Sequence, residues 1–158
     1  MYNFYLILHF CMMVLWVGSA VVLDFRFLSK FTKLSKDSKL ELLKGIQRIS
    51  NKTEMPASSF LPLIGVLMLM EKTFWLKVGL MHGKIAISLI AIGMYHASRG
   101  VLNKMIVALE SGGRSESLAK KYLFYRIVTL VFLLAVVWMI GDYKGVISTF
   151  HIIKSGLE

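Results

Sequence analysis

Cysteine is almost absent from this chain, since Cys11 is the only one among 158 residues. A lone cysteine excludes a disulfide within the chain and a metal cluster held by several thiolates. Because Cys11 lies inside an apolar run, we interpret it as a small packing residue. Acidic residues are also scarce: nine stand against 19 basic residues, which gives a net charge of +10.

Long polar stretches are missing from most of the chain, and apolar runs take their place. Hydrophobic residues make up 56% of the sequence, above the norm for soluble domains, and the mean hydropathy is +0.66. A helix needs about 20 mainly apolar residues to cross a bilayer. We therefore predict an all-α, integral-membrane four-helix bundle. It forms one domain over residues 1–158, with spans at about residues 3–27, 55–70, 76–98 and 122–140.

The two longer connections between these spans are polar, yet both show helical spacing. In the first, over residues 30–54, apolar residues recur at intervals of three: Leu40, Leu43, Ile46 and Ile49. This pattern predicts an amphipathic helix resting at the cytoplasmic interface of the membrane. In the second, residues 101–109 are expected to continue the third span into water as an amphipathic helical segment.

The basic residues are concentrated on one side of the predicted bundle. Of the 19, 14 lie in or beside the first and third connections: Arg26, Lys30, Lys33, Lys36, Lys39, Lys44, Arg48, Lys52, Arg99, Lys104, Arg114, Lys120, Lys121 and Arg126. Basic loops stay in the cytoplasm, so both termini are predicted on the outer face of the inner (cytoplasmic) membrane. This topology explains the basic excess without a nucleic-acid partner.

Three histidines lie inside the predicted spans: His9 in the first, and His82 and His96 in the third. An ionisable side chain in hydrocarbon costs about 2.5–3.5 kcal/mol, so it usually faces the protein interior, a partner or a cofactor. His82 and His96 are separated by about 21 Å along the helix axis and by only about 40° around it. We therefore predict that they share the cofactor-binding face of the third span.

His9 and His82 lie at matched depth, each about 8 Å below the outer end of its span. Two imidazoles on neighbouring helices can hold a haem b iron between them, and an apolar, aromatic-rich bundle favours burial of the macrocycle. Zinc or copper suits the pair less, because two histidines underfill their coordination shells. The alternative for a histidine in such a bundle is a hydrogen bond between helices.

His96 lies near the cytoplasmic face with no histidine opposite it. Its possible roles are a lone axial ligand, a ligand of a second haem shared across an oligomer, and a proton carrier acting with Asp24. Asp24 is expected to pair with Arg26 or with another nearby basic group. Met12, Met13 and Met81 are conceivable axial thioethers, although methionine in an apolar chain mostly serves packing.

Four basic side chains at the span ends are candidate partners for porphyrin carboxylates: Lys84, Arg26, Arg99 and Arg126. The lysine is two residues deeper than His82, so it either extends to the interface or binds a carboxylate in the bundle. The arginines lie at the cytoplasmic boundary, where they either anchor the spans or form forks for propionates.

The order of short motifs along the chain resembles that of the HemJ-type protoporphyrinogen oxidases, which are small integral-membrane proteins. The motifs that carry the resemblance are His9 followed by Trp16-Val-Gly18, then Phe25-Arg26-Phe27, Trp75-Leu76, His82-Gly-Lys84, Tyr95-His96 and Tyr125-Arg126. The resemblance implies a b-type haem with His9 as a ligand and Trp16 at the cofactor. It also implies catalytic roles for Lys84 and Arg126.

The activity implied by this resemblance is the six-electron oxidation of protoporphyrinogen IX, with electrons passed to quinone or the respiratory chain. The resemblance implies a divergent member of that family, because Ile127-Val-Thr-Leu-Val-Phe132 stands where the family carries Asn-Glu-x-Pro. One alternative is a non-enzymatic b-type cytochrome that carries electrons between a periplasmic donor and quinone. Another is a structural or transport bundle. A homo-oligomer is expected, since four spans bury only a small core.

Overall fold

Five α-helices make up nearly all of the chain in the structure, a computed structural model that describes residues 1–155, with side chains described for residues 1–139. They are α1 (Tyr2–Lys30), α2 (Lys36–Lys52), α3 (Glu54–Glu71), α4 (Gly79–Glu110) and α5 (Glu116–Ser155). Short 3-10 turns, Phe31–Lys33 and Thr73–Lys77, follow α1 and α3. No strand occurs within residues 1–155, which confirms the predicted all-α class.

Three of the helices each bury one stripe of side chains spaced alternately three and four residues apart. The stripes are Met13, Trp16, Ala20, Leu23 and Phe27 on α1; Ala91, Tyr95, Ser98, Leu102, Met105 and Leu109 on α4; and Tyr122, Arg126, Thr129, Leu133 and Val136 on α5. This spacing keeps one face of a helix against its neighbours and is typical of helix bundles. Here α4 packs along α5, and α1 packs along α3.

Four helical stretches are long and apolar enough to cross a membrane: Tyr2–Lys33, Lys36–Glu71, Gly79–Glu110 and Glu116–Met139. Large apolar side chains point away from the bundle, among them Phe10 and Phe25 on α1 and Phe124 on α5. Water-soluble proteins rarely expose apolar patches of this extent. The number of candidate spans agrees with the four that the sequence predicts.

At the end of the bundle where α2 lies, the helices extend beyond their most apolar runs and pack on one another. The buried residues there come from α1, α2, α4 and α5 and include Phe27, Leu43, Ile46, Leu102 and Tyr122. Among them, Leu43 and Ile46 fix α2 against the bundle. Gly112, with φ +85°, adopts the left-handed conformation common just after a helix and turns the chain from α4 towards α5.

Only Thr53 separates α2 from α3. This break places Glu54 at the start of α3, completely buried, and Ser50 in the last turns of α2, also buried. Pro62 lies inside α3, which continues through it. The α2 end of the bundle is thus closely packed, with the polar side chains of Ser50 and Glu54 buried next to its apolar core. The opposite end, beside the turn Thr73–Lys77, contains a cavity.

Candidate functional site

A cavity of about 350 Å³ lies between α1, α3, α4 and α5, in the half of the bundle that includes the N-terminus of α1. Its volume falls within the range of small-molecule pockets. The side chains on its wall that carry polar groups are Tyr2, His9, Trp16, Trp75, Lys84 and Ser88. The remaining wall is mainly apolar and includes Met13, Leu61, Pro62, Gly65, Met81, Ile85, Leu133 and Val136.

The imidazole of His9 projects from α1 onto α3. A Cβ added at Gly65 would lie 3.6 Å from the His9 Cε1 atom, so the glycine leaves the room that the ring occupies. The Nδ1 atom of the ring is buried and has no hydrogen-bond partner among the described residues. Buried polar atoms are normally satisfied, so this nitrogen is available to a ligand.

Lys84 is on the inward-facing side of α4 and lines the same cavity as His9. No carboxylate pairs with its ammonium group within residues 1–139. Burial of a charge is costly unless an opposite charge or a hydrogen bond compensates it. The lysine therefore favours an anionic group on whatever occupies the cavity.

Trp16 forms the floor of the cavity and is only 2% exposed. Its ring meets that of Tyr95 edge to face, with centroids 5.6 Å apart and an interplanar angle of 73°. The indole Nε1 atom has no hydrogen-bond partner in the described part of the chain. The floor thus offers an aromatic surface and one unused donor.

His82 and His96 do not join His9 in this cavity. Both are exposed on α4, and neither lines the cavity. Two residues along a helix correspond to a rotation of about 200° around its axis, so His82 and Lys84 point to opposite sides of α4. Because Lys84 faces the cavity, His82 faces away from it. His96, whose ring lies 5.3 Å from that of Tyr95, is on the same outer side as His82. Within one chain, the predicted pairing of His9 with His82 thus has no support from this placement.

Below the cavity floor, a buried ion cluster joins α1, α3 and α5. The guanidinium of Arg126 donates from Nε to Asp24 Oδ1 at 2.5 Å and from Nη2 to Glu54 Oε1 at 2.7 Å. The same Nη2 also donates to the carbonyl of Ala20 at 3.3 Å. Arg126 is 3% exposed and Glu54 is fully buried.

Hydroxyl groups extend this cluster towards α2 and α4. Ser50 Oγ donates to Glu54 Oε2 at 2.5 Å, and the hydroxyl of Tyr95 lies 3.1 Å from Ser50 Oγ. Arg99 donates from Nη1 to the Tyr95 hydroxyl at 3.3 Å and from Nη2 to Asn51 Oδ1 at 2.7 Å. Through the ring contact of Tyr95 with Trp16, the polar network and the cavity share a wall.

Three of the predicted basic residues, Arg26, Arg99 and Arg126, do not line this cavity. Arg26 is exposed, in a groove formed with α2, and Asp24 pairs with Arg126 rather than with Arg26. Arg99 and Arg126 belong to the polar network, separated from the cavity by Trp16 and Tyr95. The structure thus brings His9, Trp16 and Lys84 together and leaves the predicted arginines outside.

Sequence reasoning overlooked Glu54 and Ser50, and it used Tyr95 only as part of the Tyr95-His96 motif. One signal was present: Glu54 is the acid that directly precedes the second apolar run, where an uncompensated carboxylate is costly. A second was the polar spacing of α4, since Lys84, Ser88, Tyr95 and Ser98 mark one side of the helix.

Within the residues that the structure describes, no three histidine, cysteine, aspartate or glutamate side chains lie close enough together to hold a metal ion. Haem iron takes most of its ligands from the porphyrin, and a single histidine can hold it from the protein side. His9, with a free nitrogen facing an apolar cavity, fits that smaller requirement.

No protein-family model, curated protein or solved structure matches this chain. The functional argument therefore rests on the cavity and the ion cluster.

Proposed function

We propose that this chain is a membrane protein that binds haem b, or a closely related porphyrin, in the cavity beneath the α3–α4 turn and has a redox role there. His9 is the axial ligand and Lys84 binds a propionate. One observation carries the proposal: within residues 1–139, the imidazole Nδ1 of His9 has no hydrogen bond and the ammonium of Lys84 has no carboxylate, and both side chains line the same mainly apolar cavity.

An iron porphyrin can supply a partner both for the imidazole nitrogen of His9 and for the ammonium group of Lys84. Its macrocycle is apolar and aromatic and can lie against Trp16, Met13 and Leu133, which line the cavity. Its carboxylates are anionic and can neutralise Lys84. Met13 and Met81 also line the cavity, so a thioether remains a candidate for the second axial position.

Oxidation of protoporphyrinogen IX, as in the HemJ-type enzymes, is the redox role that we favour. The substrate shares the carboxylates of haem, and its six electrons and six protons pass to quinone, which becomes quinol. Lys84 lines the cavity and can orient the substrate, whereas Arg126 lies in the ion cluster and acts as a positioning residue. The alternative function is a b-type cytochrome that carries electrons between a periplasmic donor and quinone.

We further propose that the chain lies in the inner (cytoplasmic) membrane with both termini outward. The support is charge: 14 of the 19 basic residues lie in α2, at the ends of α1 and α4, at the start of α5 and in the turns that adjoin them, and basic segments stay in the cytoplasm. In this orientation the cavity lies in the outer half of the membrane and the ion cluster lies in the inner half. Self-association remains a prediction.

Two assays test the function. The protein purified from a haem-replete host should show a Soret band and an α-band, and a colourless protein that also fails to take up added haemin would contradict haem binding. Anaerobic incubation with protoporphyrinogen IX and a quinone should then generate porphyrin fluorescence and quinol in proportion. A coloured protein without this turnover would instead identify the cytochrome.

A matched pair of lysine variants connects the assay to the cavity. Lys84 lines the cavity, whereas Lys77 is exposed in the turn Thr73–Lys77. Lys84→Met should weaken porphyrin binding or raise KM at least tenfold, and Lys77→Met should leave both unchanged. Equal effects of the two variants would show that lysine charge acts on the protein as a whole rather than in the cavity.

A further inference from the structure

The ion cluster below the cavity contains more acid than base. Asp24 and Glu54 share the single guanidinium of Arg126, with donor–acceptor distances of 2.5 and 2.7 Å. If both carboxylates were ionised, the cluster would carry one uncompensated negative charge. An unpaired charge away from water is so costly that the group takes up a proton instead.

The groups that surround the cluster cannot supply the missing positive charge. Among residues 1–139, Ser50 from α2 donates to Glu54, Tyr95 from α4 is hydrogen-bonded to Ser50, and Tyr122 is buried one turn before Arg126 on α5. All three are hydroxyl groups. Arg99 is the next cation, but it donates to the Tyr95 hydroxyl and to Asn51 and makes no ion pair with either carboxylate.

From this imbalance we infer that the cluster is a binding site for one exchangeable proton, which resides on Asp24. The proposal concerns the protein itself and does not depend on what occupies the cavity.

The direction of the hydrogen bonds assigns the proton to Asp24 rather than Glu54. Ser50 Oγ has one proton, which it donates to Glu54, so it accepts from the Tyr95 hydroxyl, and that hydroxyl accepts from Arg99 Nη1. Ser50 in turn donates to Glu54 Oε2, while Arg126 donates to Glu54 Oε1. Both oxygens of Glu54 therefore accept hydrogen bonds, as an ionised carboxylate requires.

Asp24 differs from Glu54 in this respect. Its Oδ1 accepts from Arg126 Nε, and its second oxygen has no hydrogen-bond donor among residues 1–139. A neutral carboxylic acid can accept at its carbonyl oxygen and carry a proton on the other oxygen. Asp24 is also slightly exposed, at 9%, whereas Glu54 is fully buried, so a proton on Asp24 can exchange with the surroundings.

The position of the site connects it to the cavity. From Glu54 the hydroxyls of Ser50 and Tyr95 continue towards the cavity floor, where the Tyr95 ring contacts Trp16. A proton store in this place suits a cavity in which electrons are gained or lost, because the stored charge can follow the charge in the cavity. A proton bound at this site can therefore balance the change of charge in any redox reaction that takes place in the cavity.

Infrared spectroscopy of the full-length protein in lipid vesicles tests the inference without any cavity ligand. At neutral pH the wild-type protein should show the carbonyl stretch of a protonated carboxylic acid, shifted to lower frequency in D₂O. Asp24→Asn should remove this band and Glu54→Gln should retain it. Absence of the band from the wild-type spectrum, or its persistence in the Asp24→Asn variant, would overturn the inference.

Thermal unfolding of the same two variants gives a second, independent measurement. Asparagine resembles a protonated aspartic acid, so Asp24→Asn should fold and unfold near the wild-type temperature. Glu54→Gln should unfold at a clearly lower temperature, because it removes an ionised partner of Arg126. An Asp24→Asn variant that fails to fold, or that loses as much stability as Glu54→Gln, would contradict a neutral Asp24.

Discussion

Replacing Arg126 with methionine tests how strongly the ion cluster stabilises the bundle. The substitution retains an apolar chain of similar length but removes the donors to Asp24, Glu54 and the carbonyl of Ala20. Neutral hydrogen bonds between membrane helices contribute on average only about 0.6 kcal/mol each, so their loss alone would be a small effect. The larger effect is that the ionised carboxylate of Glu54 is left buried without a cation, and breaking a buried pair in this way costs about 3–5 kcal/mol.

The chain offers a matched control at its surface. Lys44 and Glu110 form an ion pair with the same 2.7 Å separation as Arg126 and Glu54, but their side chains are 49% and 46% exposed. An exposed pair contributes about 0–1 kcal/mol, so Lys44→Met should change the free energy of unfolding very little. The two variants lose the same charge and differ mainly in burial.

Both variants can be compared by equilibrium unfolding in mixed micelles, with the fluorescence of buried Trp16 as one probe and helix content as another. We expect Arg126→Met to lose about 3–5 kcal/mol. The triple variant Arg126→Met, Asp24→Asn, Glu54→Gln should recover much of that loss, because no buried charge remains. An Arg126→Met variant within about 1 kcal/mol of Lys44→Met would refute the stabilising role of the cluster.

Three further predictions concern the cavity. Gly65→Ala should be tolerated, because its Cβ would meet His9 Cε1 at an ordinary 3.6 Å, whereas Gly65→Leu should displace the imidazole and abolish haemin binding, measured by absorbance titration. Trp16→Phe should keep the free energy of unfolding within about 1 kcal/mol of wild type, because the indole Nε1 has no hydrogen-bond partner among the described residues. Trp16→Ala should lower the free energy of unfolding by about 3–5 kcal/mol, because it removes a large buried side chain. Lys84→Met should raise the melting temperature of the ligand-free protein and weaken haemin binding. Haemin dimethyl ester, which has no free carboxylates, should bind the wild type and the variant equally. A lower melting temperature of the variant would contradict an uncompensated ammonium group at Lys84.

Local patterns predicted the helices well because each span is long and strongly apolar. His9, Trp16 and Leu23 are spaced seven residues apart, which places them on one face of α1; in the structure Trp16 and Leu23 are buried on that face and His9 lines the cavity. Such periodicity follows from helix geometry alone. It needs no knowledge of which helices are neighbours.

The orientation of α4 could not be derived from its histidines. The spacing of His82 and His96 places them on one side of α4, and both are exposed. Spacing gives an angle between residues but not the direction of the bundle interior. The stripe that begins at Lys84 and continues through Tyr95 is the one that packs against other helices.

The partner of Asp24 was equally out of reach of local reasoning. Arg26 is two residues away in the chain, yet side chains two positions apart on a helix do not face each other. Arg126 is 102 positions away and meets Asp24 because α5 crosses α1 at that level. Glu54 joins them only because the α2–α3 break points its side chain inward. Contacts of this kind depend on the order of packing, which the sequence does not display.

The central claim is that His9 holds an iron porphyrin in the cavity, and haemin titration of ligand-free protein tests it most directly. His9→Ala should lose the Soret shift and the binding of one haemin per chain, whereas His82→Ala, which changes an exposed histidine of the same membrane region, should bind as the wild type does. Retention of the same spectrum and stoichiometry by His9→Ala would contradict the account.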